Sequence, residues 1–206
     1  MTWQGLVLEA RSLACERGGR LIFKDLNFII TSGEALELRG PNGAGKSSLL
    51  RLLAGLNQPA AGALAFRGAS TELNEAAHYI GHHEAVKPAL TVRQNLEFWA
   101  RFLGNEGKAE LGPFRLEQLA DDEARLLSEG QCRRLALSRL VSVLRPVWLL
   151  DEPTVGLDQA ALVDLRREME THVAGGGVII AATHAELGLK TSRVIEIARA
   201  AGCGLR

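Results

Sequence analysis

Eight consecutive residues carry the strongest chemical signal in the chain. Gly40-Pro41-Asn42-Gly43-Ala44-Gly45-Lys46-Ser47 matches GxxxxGK[ST] in full, with a further hydroxyl at Ser48. Glycines let successive backbone N–H groups converge on phosphate oxygens, and a helix opening at the lysine turns its positive end toward the same charge. In this pattern the lysine, Lys46, bridges the β- and γ-phosphates and the hydroxyl, Ser47, ligates Mg²⁺. The expectation is a chain that binds and hydrolyses ATP.

Val147-Trp148-Leu149-Leu150-Asp151-Glu152 is an apolar run ending in two carboxylates. A strand there would set Asp151 beside the phosphate loop as a direct or water-mediated Mg²⁺ partner. Glu152 could then take a proton from an attacking water, a contribution typically worth about 10²–10⁴-fold. The alternative is a pair of acids that caps the next turn. A third segment, Leu127-Ser128-Glu129-Gly130-Gln131, contains S-x-x-Q, a capping box that opens a helix. Asp158, ahead of an apolar-periodic stretch, suits an N-cap in the same way.

The elements that must position these groups follow from periodicity. Leu6 to Leu13, Leu21 to Ile30 and Ala35 to Leu38 are apolar runs separated by Gly18-Gly19 and Ser32-Gly33, which predicts three strands with tight connections. Leucines at 49, 50, 52, 53 and 56 predict a helix directly after the glycine loop, so the motif has its strand-loop-helix context. Gly62 to Phe66 and Ala77 to Gly81 read as short strands. From about Ala85 to Leu127 the pattern turns helical, with segments over Val92 to Leu103 and around Leu116 to Leu126. Gln131 to Leu144 and Gln159 to Val173 read as helices, and Val147 to Leu150 and Val178 to Ala182 as buried strands. Alternation of this kind implies an α/β fold with a largely parallel sheet and an inserted helical lobe.

Lysine plus arginine equals aspartate plus glutamate at 24 each, so no net basic charge steers the chain to nucleic acid. Cys15, Cys132 and Cys203 lie far apart without a CxxC pair, arguing for reduced thiols in a cytosolic setting rather than zinc or disulfides. The N-terminus shows no pattern of a secretion signal. The longest apolar region, Leu135 to Leu150, is interrupted by Arg139, Arg145 and Pro146, so a membrane role is expected to run through a partner.

With these motifs in hand, the chain resembles the ATP-binding cassette family, whose signature reads LSGGQ. The order is the family's: phosphate loop, helical lobe, Leu127 to Gln131, Asp151-Glu152, Gly156-Leu157-Asp158, and Thr183-His184 after a strand. The resemblance implies a single P-loop cassette over residues 1–206. It would have an antiparallel β subdomain at its N-terminus and a helical lobe at about 85–127. It also implies a head-to-tail dimer, in which Ser128, Gly130, Gln131 and Asp158 of one copy complete the nucleotide site of the other. His184 corresponds to the family's switch histidine at the γ-phosphate.

Three positions depart from the pattern. Where the family stacks adenine on an aromatic residue this chain has Arg17, either a guanidinium plane on the base or a solvent-exposed arginine. Where the family has a glutamine that ligates Mg²⁺ it has His83, counted back from Leu90-Thr91-Val92. Imidazole suits a hard ion poorly, which leaves water-mediated contact or, as the weaker idea, a zinc pair with His82. Glu129 replaces a signature glycine and either slows hydrolysis by its charge or faces solvent. The Ile80-Gly81-His82 run, Lys87 to Thr91 and Gln131 to Leu140 are similar to the branch of the family that serves haem export in c-type cytochrome biogenesis. That likeness implies a peripheral subunit on the cytoplasmic face of the bacterial inner membrane, docked on an integral-membrane permease, with no nucleic acid bound and no direct contact with cargo. A soluble cassette ATPase acting on ribosomes or DNA is the alternative. Such proteins carry paired cassettes, coiled coils or basic extensions, none of which is seen in these residues.

Overall fold

The computed structural model describes residues 2–107 and 109–198. Strands β1 (Val7–Arg17) and β2 (Arg20–Thr31) form a hairpin whose register runs from Arg17 opposite Arg20 to Val7 opposite Thr31. Its two turn residues, Gly18 and Gly19, have φ of 57° and 73°. Positive φ at both positions is what a type I′ two-residue turn needs, and glycine supplies it without strain. After β3 (Ala35–Arg39) and α1 (Lys46–Leu53), β4 (Ala61–Arg67) pairs antiparallel with β1, giving a sheet in the order β2-β1-β4.

A single helical turn, α2 (Leu73–Ala76), leads into β5 (Ala77–Ile80), followed by α3 (Val92–Phe102), α4 (Glu129–Ser142), β6 (Val147–Asp151), α5 (Gln159–Ala174), β7 (Val178–Ala182) and β8 (Ser192–Glu196). β3 and β5 to β8 form a second sheet, ordered β5-β6-β7-β3-β8, in which every neighbouring pair is parallel. Its central strands β6 and β7 read as nearly continuous apolar runs because both of their faces are covered. Val147 and Leu149 of β6, with Val178 and Ile180 of β7, face the core shared with α1 and the antiparallel sheet. Trp148, Leu150, Ile179 and Ala181 face the core shared with α3, α4 and α5.

The predicted helix around Leu116 to Leu126 does not form. Three isolated 3₁₀ turns stand in its place and just before it, at Gly112–Phe114, Glu117–Leu119 and Ala124–Leu126. Arg115, at φ 54°, ends the first of these turns, and within the predicted span Asp121-Asp122 are poor helix formers. The apolar residues of the segment are used differently: Phe114 and Leu116 are fully buried. The backbone bonds outward, Val92 N–H to Asp122 O at 3.0 Å and Ala124 N–H to Leu90 O at 2.9 Å. Residues 85–91 are also non-helical. Buried Asn95 of α3 binds them, donating to the carbonyls of Lys87, Leu90 and Thr91 and accepting from Lys87 N–H. α2 and β8 have no counterpart in the periodicity, being one turn long and a largely exposed edge strand. Cys15 is buried and Cys132 half-buried, both as free thiols with pKa raised by burial; Cys203 lies outside the described residues.

Candidate nucleotide site

In a parallel sheet all strand C-termini lie along one edge, so the loops that leave β3, β5, β6 and β7 meet there. β3 delivers the glycine loop, β5 His82, β6 Asp151 and Glu152, and β7 Thr183 and His184. Two glycines are sterically required in the first of these. A Cβ on Gly40, at φ 134°, would stand 2.3 Å from the Ile197 carbonyl oxygen, and one on Gly45, at φ 108°, would stand 2.6 Å from Ile22 of β2. Gly45 is also the N-cap of α1 and makes no side-chain cap. The first N–H groups of α1 are therefore left facing the loop.

Lys46 is nearly buried, and its Nζ donates to Gly40 O at 2.8 Å and lies 3.4 Å from His184 Nε2. His184 Nε2 is in turn 3.1 Å from Asn42 Oδ1 and 3.5 Å from Glu152 Oε1. Ser47 Oγ donates to Asp151 Oδ1 at 3.1 Å. Lys46, Ser47, Asp151 and Glu152 border a cavity of about 420 Å³ lined also by Arg17, Ile22, the rest of residues 42–48 and His82. The structure thus brings together the loop, both carboxylates and Arg17, which all line this cavity. Ile22 was not foreseen; its position in a regular strand carries no chemical signal.

The backbone around Glu152 is unusual. Its φ is 48°, a left-handed conformation strained for a residue with a side chain. Its N–H donates to Ala182 O at 2.9 Å, and its carbonyl accepts from Arg133 Nη2 at 2.7 Å. Nothing in the sequence sets Arg133 apart from its neighbours in the run Gln131 to Leu140. On the adjacent strand, Thr183 is fully buried and exchanges two hydrogen bonds with the backbone of Ala185, at 2.9 and 3.1 Å. That turn presents His184.

The remaining candidates stand elsewhere. Ser128 is the N-cap of α4 and forms the expected capping box: Gln131 N–H donates to Ser128 Oγ at 3.3 Å and Ser128 N–H to Gln131 Oε1 at 2.8 Å. Asp158 caps α5, accepting from Ala161 N–H at 2.8 Å. Neither these residues nor Gly130 lines the cavity of the chain's own phosphate loop. His83, aligned by spacing with the metal-binding glutamine, does not line the phosphate-loop cavity; it lines an adjoining cavity of about 190 Å³ with Glu84, Glu129 and Arg133, and His82 and Glu152 border both cavities. Spacing counted along the loop cannot resolve which of two adjacent side chains turns inward.

A profile of the ABC transporter family matches residues 23–155. The chain is 50% identical over 199 residues to the cytochrome c biogenesis ATP-binding export protein CcmA of Rhodopseudomonas palustris strain BisB5, covering 94% of this chain and 99% of that relative. It is 46% identical over 200 residues to the protein of the same description from Paramagnetospirillum magneticum, covering 91% of this chain and 92% of the relative. Among solved structures, an ATP-binding subunit of an ABC transporter superposes with a TM-score of 0.82 at 24% identity, over 93% of this chain and 86% of that one. A dimeric ATP-binding cassette bound to ADP and Pi in a post-hydrolysis state superposes with a TM-score of 0.78 at 21% identity, over 93% and 94%. The two structures agree with the fold described above.

Proposed function

The chain belongs to the ABC transporter family, and from that premise we propose that it is the ATP-hydrolysing, energy-coupling subunit of a membrane export complex of c-type cytochrome biogenesis, with haem as cargo. Residues 1–206 act as one ATP-binding domain in which 85–127 form the lobe. The observation that carries the activity is the Ser47–Asp151 contact at 3.1 Å with Glu152 and His184, 3.5 Å apart, beside it. The donor set fits Mg²⁺: a hydroxyl and a buried carboxylate, both hard oxygens, with the other positions free for phosphate oxygens and water. When bound, Mg²⁺ would neutralise charge that develops on the β- and γ-phosphates.

The chain's own groups do the rest. The backbone of residues 42–48 holds the phosphates, and Lys46 Nζ moves from the Gly40 carbonyl to phosphate oxygens. Glu152 takes a proton from the water that attacks the γ-phosphorus, the bond to the β,γ-bridging oxygen breaks, and ADP and phosphate leave. His184, beside Lys46, Asn42 and Glu152, holds the γ-phosphate in line. Arg17 of the cavity lining is set to stack on the base. His83, and His82 beside it, border the cavity next to Glu152, where either imidazole could meet the metal only through a water.

Ser128, Gly130, Gln131 and Asp158 stand outside the chain's own site, which supports their serving the nucleotide of a second copy in a head-to-tail dimer. No helix among the described residues is long and apolar enough to cross a membrane. The likeness to cytochrome c biogenesis ATP-binding export proteins supports a peripheral place on the cytoplasmic face of the bacterial inner membrane, docked on an integral-membrane permease, with the cargo not contacted directly. The test is affinity purification of the tagged chain from membranes. Recovery of a membrane protein encoded beside it, with ATPase activity in the complex, is the expected result; recovery of ribosomes or DNA instead would overturn the assignment.

A further inference from the structure

We propose that Arg133 is a positioning residue that couples the two nucleotide sites of the dimer, by tying the start of the signature helix to the backbone of Glu152. Arg133 is only 4% exposed. Its Nη1 donates to Gly81 O at 3.0 Å, and its Nη2 donates to Asp151 O at 2.8 Å and Glu152 O at 2.7 Å. One guanidinium thus clamps the ends of two strands that carry site residues: Gly81 precedes His82, and the other two carbonyls flank the catalytic carboxylate. Its buried Nε has no hydrogen-bond partner among the described residues, so the whole anchorage runs through the fork. A planar fork with fixed donor directions can satisfy three carbonyls at once, and a lysine ammonium on a flexible stem cannot hold them in that geometry.

The carbonyl bound most tightly belongs to Glu152, whose left-handed φ of 48° persists only where the surroundings over-determine it. The Ala182 carbonyl restrains the amide of that residue and Arg133 restrains its carbonyl. Burial lowers the Arg133 pKa, while Glu84, Asp151 and Glu152 nearby favour its charged form. Arg133 lies one turn into α4, behind the N-cap Ser128. Between them, Gly130 packs so closely on the loop after Glu152 that a Cβ there would stand 2.8 Å from Gly156 O. The start of α4 and the segment from Glu152 to Gly156 are therefore joined at two points.

The inference rests on the dimer reading: if Ser128 and Gly130 close on the partner's γ-phosphate, Arg133 conveys the position of that helix to the Glu152 serving its own nucleotide. The test uses the full chain with Arg133→Gln and Arg133→Lys, measuring ATP affinity, kcat, KM and thermal unfolding. Arg133→Gln is expected to lower kcat about tenfold or more with ATP affinity held within about twofold, and Arg133→Lys to recover part of the rate. A wild-type kcat in either folded variant, or ATP affinity falling in step with kcat, overturns the positioning role; Arg133→Lys carries the test if Arg133→Gln does not fold. Coupling is read from a cycle with Ser128→Ala. Losses in kcat that simply multiply refute it, and a double variant at least about threefold faster than the product supports it. Glu152→Gln measured alongside separates the two levels: a wild-type rate there sinks the underlying site assignment, whereas trapped ATP with an inert Arg133 sinks only this inference.

Discussion

Two buried histidines make the fold acid-sensitive in a window where few other groups titrate. His78 on β5 is 4% exposed, its Nε2 donates to Val143 O at 2.6 Å, and burial pushes its pKa down to about 3, assisted by Arg145 and Arg139. His172 on α5 stacks on Trp148 at 4.0 Å, and burial lowers its pKa to about 4. Backbone hydrogen bonds with Val178 and Pro146 favour its charged form, but burial outweighs them. In the unfolded chain both imidazoles titrate near their ordinary value of 6.5. As pH falls below that value the unfolded state takes up protons that the folded state refuses, and stability drops until the folded values are reached. Both folded values lie below 5.5, so the loss from pH 7 to 5.5 is set by the unfolded value. It is about 1.3 kcal/mol per histidine and about 2.5 kcal/mol for the pair. For a chain of this size that corresponds to a fall of roughly 5–10 °C in melting temperature. The assay is urea unfolding at pH steps between 7 and 5.5, for wild type, His78→Gln, His172→Gln and the double variant. Each single variant should remove about half of the slope, whatever it does to absolute stability. A flat wild-type profile, or an unchanged slope in the double variant, would refute the reasoning.

Four further outcomes follow from the site. Glu152→Gln should lower kcat by about 10²–10⁴-fold, trap ATP and stabilise the dimer, as read by ATPase assay and gel filtration with ATP; hydrolysis at the wild-type rate means the base lies elsewhere. Lys46→Ala removes the cation that faces the loop and should abolish ATP binding in equilibrium titrations, with the fold intact by circular dichroism. Gly45→Ala would press a Cβ against Ile22 and Phe23 at 2.6 and 2.9 Å, so both melting temperature and ATP affinity should fall; unchanged values would mean β2 can move away at little cost. Asp151→Asn should raise the Mg²⁺ concentration needed for half-maximal activity more than it raises KM for ATP, and equal effects would argue against Asp151 as a metal partner.

Most of this protein's chemistry was legible as local pattern. Residues 40–48 specify their function through backbone conformation and a short spacing, both set by the order of a few residues. The same holds for the helix caps at Ser128 and Asp158, whose partners lie three residues away. The buried strands at residues 147–151 and 178–182 were legible because their apolar runs are bounded by breakers. What the chain order could not decide was which distant residues meet. The contact between Ser47 and Asp151 spans 104 residues and that between Lys46 and His184 spans 138; both exist because β7 sits between β6 and β3, so their loops open on one edge. The choice of His82 over His83 at the cavity likewise depends on how the loop leaves β5. The helix predicted around Leu116 to Leu126 gives way to 3₁₀ turns whose backbone bonds to residues 90 and 92, pairings that periodicity along the chain does not encode. Arg133 had no signal in the sequence beyond its charge, since its three partners are carbonyls, and a carbonyl has no side-chain identity to read. The sequence by itself determined which groups could handle a nucleotide, because those choices are local; only the tertiary structure decided how they face one another, because parallel strands bring together residues that lie far apart along the chain.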